Sequence, residues 1–381
     1  MLGLYIHVPF CKKICDYCDF HAFPAPEWLQ LEYLNLIEAE MGAFAERHPG
    51  LFGRVETLYI GGGTPSLLPP ELLERLFGLL AGAGVPMGAL REATMEFNPE
   101  SCDAERVAVA LESGITRASL GLQSLRQRLL DRVGRHHDVE TGRRALDLLV
   151  SEPRLRVNAD LMFDLPGQTV ADVEEDVATL AESGVGHISL YGLKVDPSRR
   201  LGQRIAKGLD AVDEDLYADM YLRSVESLET RGFRRYETSN FAREGEESLH
   251  NLNYWKRGEY LAFGPSAHGF LDGVRFYAPE RYAKWRDYVK AGCPEGGLAL
   301  DRLTPEDVVA ELLQLSLRTK YGMRLDGLEG LGFAVPESAF LRWVSEGYAE
   351  LSGGIFRLSG RGWLFMDTVV LDLYSKCTQI R

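Results

Sequence analysis

Three thiols crowd the segment CKKICDYCDF, at Cys11, Cys15 and Cys18, spaced C-x3-C-x2-C. A tetrahedral metal site ordinarily takes four protein ligands, and no further cysteine follows; the run ends in Asp19-Phe20. Zinc with His7 or His21 as fourth ligand is one reading, although zinc knuckles usually pair two C-x2-C halves. The run GGGTP, residues 61–65, matches neither G-x-G-x-x-G nor a Walker loop. It is a tight turn or a place where backbone comes close to a ligand. Glu96 and Asp160 sit in or beside apolar runs. A carboxylate there is costly unless it is paired or bound, so each is a structural ion pair or a ligand contact.

These residues fall where an α/β chain would place a site. Strand-like runs cover 2–8, 55–60, 92–97, 117–122, 156–163 and 187–193, separated by amphipathic stretches at 27–48, 69–83, 102–113, 138–151 and 170–183. Alternation of this kind implies βαβ units on a parallel sheet, as an open barrel or a doubly wound sheet; the pattern does not choose between them. Ligands bind at the carboxyl ends of such strands. Those ends carry the cysteine loop, GGGTP, Glu96, Gln123, Asp160 and Tyr191. Beyond residue 200 the rhythm changes. One long helix is expected over 213–231, then an aromatic and glycine-rich section to about 290. Helical patterns at 304–319 and 336–347 precede a hairpin signal around Gly353-Gly354, as in a winged-helix module. The expected divisions are a core over 1–231, an extension over 232–300 and a C-terminal module over 301–381.

The 381 residues carry 42 basic and 56 acidic side chains, a formal charge of −14. A negative surface repels phosphate backbones, so nucleic acid is not expected as the main partner. Clustered thiols among only six cysteines suit metal binding in a reducing compartment, and Cys102, Cys293 and Cys377 are expected to be inert. The N-terminal residues have no basic and long apolar segment, and no apolar run reaches roughly 18 residues. A soluble cytoplasmic protein is the expectation.

C-x3-C-x2-C after the first strand, with Tyr17 before the last cysteine, resembles the cluster motif of the radical S-adenosylmethionine enzymes, and GGGTP resembles their glycine-rich motif. LYIHVPFCKKICDYCDF, YIGGGTPSLL, EFNPES, SLGLQS, GRHHD, ADLMFDLPGQT, HNLNYW and FGPSAHGF together resemble the oxygen-independent coproporphyrinogen oxidase family, most closely its heme-chaperone branch. The resemblance implies a partial (β/α)6 barrel with a smaller, mostly helical, winged-helix-like C-terminal domain. It implies a [4Fe-4S] cluster on Cys11, Cys15 and Cys18, with one iron left open to S-adenosylmethionine. Tyr5, Gly62, Gly63, Thr64 and Glu96 would contact that molecule, the glycine amides and Thr64 at its carboxylate and Glu96 at its ammonium group. Tyr17, Gln123, Arg135 and Asp160 match further binding positions of the family.

Two departures count against the oxidase activity. Phe20 stands where the oxidases resemble one another by a further cysteine, and four residues precede Tyr5 where they have a longer segment. H-N-L-N-Y-W, His250 to Trp255, resembles the heme motif of the chaperone branch. His250 would supply an imidazole to heme iron, and Tyr254 and Trp255 flat surfaces for the porphyrin; the ordinary alternative is a core histidine among aromatic neighbours. His268 is a rival ligand. The branch further implies a heme-accepting partner associated with the membrane and an electron donor such as a flavodoxin. A radical enzyme acting on a porphyrin is the alternative reading.

Overall fold

The first six strands share one habit: apolar and polar side chains alternate along each. In a strand, successive side chains point to opposite faces. Leu4, Ile6, Leu58, Ile60, Ala93, Met95, Ala118, Leu120, Val157, Ala159, Ile188 and Leu190 form one set, all buried in the main core. Between them stand Tyr59, Glu96, Arg117, Ser119, Asn158, Asp160, Ser189 and Tyr191, which line a single cavity. A parallel sheet is normally apolar on both faces. Here one face packs under helices and the other is polar, which is the signature of a sheet curved around a site.

The computed structural model describes residues 1–380. Its strands are β1 (Leu2–Val8), β2 (Val55–Gly62), β3 (Glu92–Phe97), β4 (Arg117–Gln123), β5 (Arg156–Phe163) and β6 (His187–Gly192). They pair in parallel in sequence order, with helices between them. The helices are α1 (Glu27–Arg47), α2 (Pro70–Gly82), α3 (Ala104–Glu112), α4 (Gln127–Arg132), α5 (Val139–Val150) and α6 (Val170–Glu182). Side-chain caps fix the starts of α3, α5 and α6: Asp103 accepts from Arg106 N, Asp138 from Thr141 N, and Thr169 and Asp172 make a capping box.

After α7 (Arg200–Ala206) and α8 (Glu214–Thr230), the section expected to extend the barrel adds to both of its edges. β7 (Arg234–Arg235) and β8 (Asn240–Ala242) join antiparallel beside β6. The chain then crosses through α9 (Leu249–Trp255), and β9 (Tyr260–Phe263) pairs in parallel with β1. β10 (His268–Leu271), β11 (Val274–Tyr277) and β12 (Ala299–Arg302) continue that edge as an antiparallel ribbon. The result is one open sheet of twelve strands, β12-β11-β10-β9-β1-β2-β3-β4-β5-β6-β8-β7, which is the open barrel and not the doubly wound alternative. β12 runs through the expected division at 300/301.

α10 (Tyr282–Lys290) lies before β12. The last module begins with α11 (Pro305–Leu317), opened by a Thr304–Asp307 capping box with Pro305 in its first turn. A three-stranded sheet of β13 (Met323–Arg324), β16 (Ile355–Leu358) and β15 (Ala349–Ser352) packs with α12 (Leu325–Glu329), α13 (Glu337–Ser345) and α14 (Met366–Ser375); a two-residue strand pair, β14 (Phe333–Ala334) and β17 (Thr378–Gln379), completes it. Gly353 and Gly354, at φ of 58° and 73°, make the hairpin turn that needs both residues left-handed. The module is tied to the barrel by Arg318 on the fully buried Glu237, 2.8 Å, and Lys320 on Glu247, 2.8 Å.

Candidate functional site

A cavity of about 370 Å3 occupies the concave side of the barrel. Register across β3 to β6 sets Glu96 beside Ser119, Ser119 beside Asn158 and Asn158 beside His187, one polar layer spanning four strands. Asn158 Nδ2 donates to Ser119 Oγ and to Asp160 Oδ1, both at 2.7 Å, and His187 closes the row through Asn158 Oδ1 and the Tyr236 hydroxyl. Burial pushes the Glu96 carboxyl up to about 7, with Asp160 nearby adding to it, against donation from the Tyr59 hydroxyl at 2.8 Å and Gly62 N at 3.0 Å. Burial likewise raises Asp160. Two buried carboxyls held above their ordinary range are costly to ionise unless a cation partners them.

The cysteine loop forms the mouth of this cavity. Cys11, Cys15 and Cys18 all line it. The loop is pinned at its base, where Cys11 N donates to Phe23 O and Phe23 N to Pro9 O, and braced from outside by an Asp16–Arg204 ion pair and by Leu201 N on Asp16 O. Burial pushes the Cys11 thiol up to about 11 and also raises Cys18, so loading the loop with metal releases protons. Arg135 donates to Gly121 O at 2.6 Å, to Asn98 Oδ1 at 3.2 Å and to Cys15 Sγ at 3.6 Å. Its Nε is buried without a partner. A guanidinium against a thiol suits a thiolate-bound, negatively charged cluster. Among the described residues no three such side chains converge to hold a single ion; the donor set is three thiols around a mouth.

The other expected residues divide. Tyr17 and Gln123 line the same cavity as Glu96, Asp160 and Arg135. Gln123 has a φ of 69° where a register shift interrupts the β4–β5 pairing, a costly conformation that turns its side chain at the cavity. Thr64 lies behind the wall, its hydroxyl 3.4 Å from Cys11 Sγ and accepting from Asn98 Nδ2 at 2.8 Å. Gly62 and Gly63 were expected to present amides to a carboxylate; in this conformation both are already used. Gly62 N is on Glu96 and Gly63 N is on Val8 O at 2.8 Å. The glycines are needed for packing: a Cβ on Gly63 would lie 2.5 Å from Phe10 O, and one on Gly62, at φ 114°, 2.6 Å from His7. Tyr5 faces a second cavity, with its hydroxyl 3.0 Å from His7 Nδ1.

That second, outer cavity, about 630 Å3, shares the walls Asp19 and Phe20 with the first. α9 stands between the two. Its Asn251 lines the inner cavity, and its Tyr254 and Trp255 line the outer one. The helix hangs on Glu92, which is fully buried and accepts from Ser248 Oγ, Leu249 N and His250 N at 3.1, 3.0 and 2.9 Å. His250 is placed otherwise than expected of an iron ligand. Its ring is fully buried, with Nδ1 2.9 Å from Thr57 Oγ1 and Nε2 2.7 Å from the Tyr254 hydroxyl. Neither nitrogen is free, so in this conformation the imidazole holds Tyr254 in place.

Tyr59, Arg117, Ser119, Asn158 and Ser189 belong to the site and were not singled out in the sequence. Their signal was the period of two: T-x-Y at 57–59, R-x-S-x-G at 117–121, N-x-D at 158–160 and H-x-S-x-Y at 187–191, in line with E-x-T-x-E at 92–96. No helix among the described residues is long and apolar enough to cross a membrane.

Residues 5–180 match the model of the radical SAM superfamily. The chain is 34% identical over 350 residues to the heme chaperone HemW of Bacillus subtilis, covering 86% of this chain and 89% of that one. It is 34% identical over 383 residues to HemW of Mycobacterium tuberculosis, covering 97% and 94%. Among solved structures, coproporphyrinogen III oxidase (HemN) from Escherichia coli superposes with a TM-score of 0.82 at 20% identity, over 98% of this chain and 90% of that one, a likeness of fold.

Proposed function

The chain belongs to the HemW family of the radical SAM superfamily, and from that premise we propose that it is a heme chaperone, binding heme and passing it to an acceptor protein. The observation that carries this reading is α9: one short helix presents Asn251 to the inner cavity and Tyr254 and Trp255 to the outer one. A ligand seated among those aromatic rings therefore touches the element that also walls the cysteine-lined site.

The inner cavity fits a [4Fe-4S] cluster with S-adenosylmethionine. When bound, the cluster supplies an electron to that molecule. Cys11, Cys15 and Cys18 would hold the cluster, and Arg135 beside Cys15 would offset the negative charge of the thiolate-bound cluster. Glu96, near neutrality when alone, receives the cation and ionises as it does so. Asp160, fixed by Asn158, orients the remainder of the ligand. In the outer cavity Tyr254 and Trp255 give the porphyrin apolar faces, and His250 contributes by locking the Tyr254 ring. Delivery to an acceptor, an electron donor of the flavodoxin type and a cytoplasmic location complete the reading.

The test is anaerobic. Reconstituted protein is titrated with S-adenosylmethionine and with hemin, and heme-loaded protein is mixed with an apo-cytochrome while products are analysed. Heme bound and transferred unchanged supports the chaperone. Stoichiometric 5′-deoxyadenosine with a modified porphyrin replaces it by a radical enzyme of the same family.

A further inference from the structure

Two imidazoles in the outer cavity have no hydrogen-bond partner among the described residues, and neither belongs to α9. His268 and His21 are both exposed there, and neither ring nitrogen of either makes a hydrogen bond among the described residues. The third histidine of the cavity, His7, has its Nδ1 3.0 Å from the Tyr5 hydroxyl and its Nε2 3.1 Å from His21 O.

The ribbon explains where His268 points. Residues two apart in a strand share a face, and directly paired residues on neighbouring strands share it too. His268 pairs with Tyr277, Phe270 with Arg275, and Phe270 also with Tyr260. One face of β9-β10-β11 thus presents an imidazole, three aromatic rings and a guanidinium together. His268 meets the Tyr277 ring edge-on, centroids 4.6 Å apart. The turn feeding β10 is strained to deliver it: Ser266 has a φ of 61°, and Gly264, at 105°, leaves no room for a Cβ, which would lie 2.6 Å from His7 O.

Charge is arranged unevenly. Arg257 and Arg275 flank the Phe270 ring, 5.3 and 5.8 Å from its centroid, and both pair with the single carboxylate of Glu311, at 2.7 Å each. Two guanidiniums on one carboxylate leave an excess positive charge, and Arg275 Nε is buried without a partner. Asp19 and Glu280 also line the cavity.

We infer that this cavity is the heme seat: His268 on the ribbon and His21 would supply imidazoles to the iron, and Arg275 with Arg257 would receive the propionates. The inference rests on the chaperone reading and gives it an address outside the H-N-x-x-Y-W motif. A flat ligand with a central metal and two carboxylates would use the imidazoles, the aromatic rings and the guanidiniums of this cavity together. Its volume, about 630 Å3, lies within the usual range of cofactor sites, about 300–1,000 Å3.

The test titrates full-length reconstituted protein with hemin and, separately, with metal-free protoporphyrin IX. Wild type is expected to give a low-spin, imidazole-ligated ferric spectrum. His268→Ala should lose that signature, weaken hemin binding roughly tenfold or more, regain the signature on adding free imidazole, and bind metal-free protoporphyrin as wild type does. Arg275→Ala should weaken both porphyrins. His268 is exposed, so folding is not at risk, and the cluster absorbance checks it. A His268→Ala protein with unchanged spectrum and affinity overturns the assignment, and so does loss of axial ligation in His250→Ala but not in His268→Ala. A wild type that binds neither porphyrin overturns the chaperone reading itself.

Discussion

Removing the acceptor from which α9 hangs should be among the costliest single changes outside the cluster. Glu92 is fully buried and takes four donors: Ser248 Oγ, Leu249 N, His250 N and, at 2.7 Å, Arg156 Nη2. A hydrogen bond to a charged group contributes about 1.5–3 kcal/mol. The four share one carboxylate and do not add. Removing one partner of a buried pair costs about 3–5 kcal/mol, so Glu92→Ala should lose about 4 kcal/mol by the same measure. Glu92→Gln keeps one acceptor oxygen and should lose about 2 kcal/mol.

The loss should appear first in α9, where the orphaned amides lie. Hydrogen exchange of peptides covering 248–258 and anaerobic urea unfolding read the two scales, local and global. The pH dependence has a definite sign. Burial raises the Glu92 carboxyl, but Arg117, the His250 and Leu249 amides and Arg156 outweigh it, and the group is held below its ordinary range. Its stabilisation is present above the unfolded value, about 4.3, and is lost as pH falls through the lower folded value. The deficit of Glu92→Gln should therefore shrink in acid. If Glu92→Ala leaves exchange in α9 and the urea midpoint as in wild type, the helix is held by something else and the reasoning fails.

Three further outcomes follow from the inner site. Glu96 has a raised folded pKa, about 7, so its contribution is full below the unfolded value and is lost as pH rises through 7. Apo Glu96→Gln should melt higher than wild type above pH 7, a gap that closes in acid, while its S-adenosylmethionine affinity in equilibrium dialysis falls at least roughly tenfold. Gly63→Ala must displace the Phe10 backbone at the root of the cysteine loop, costing about 1–3 kcal/mol; iron and sulfide content per chain should drop. Phe20→Ala removes a ring that is 63% exposed, so thermal stability should move by less than about 0.5 kcal/mol, whereas hemin affinity should weaken measurably.

Much of this was legible in the chain, and for physical reasons. β1, β3 and β5 lie where the runs at 2–8, 92–97 and 156–163 put them, because apolar periodicity reports the face under the helices. The three thiols and Glu96, Asp160 and Gln123 meet because parallel strands end on one rim. What was hidden depends on pairing between distant segments. Nothing local in YLAF says that β9 will lie beside β1, yet that pairing brings the His268 ribbon next to the cysteine loop. Nothing in HNLNYW says that Thr57, far away in sequence, will occupy the His250 ring. The polar alternation of β4 and β5 was readable, but reading those strands for their apolar content passed over it.

Phe20 and Asp19 belong to two cavities at once. A shared wall makes the two occupancies a linked equilibrium. A ligand that fixes the Phe20 ring on one side alters the shape offered on the other, and linkage requires the effect to be mutual. If S-adenosylmethionine tightens or loosens hemin by some factor, hemin must change S-adenosylmethionine affinity by the same factor. On the chaperone reading, the ring standing at the end of the cysteine loop would be the element through which occupancy of the inner site bears on the holding of cargo.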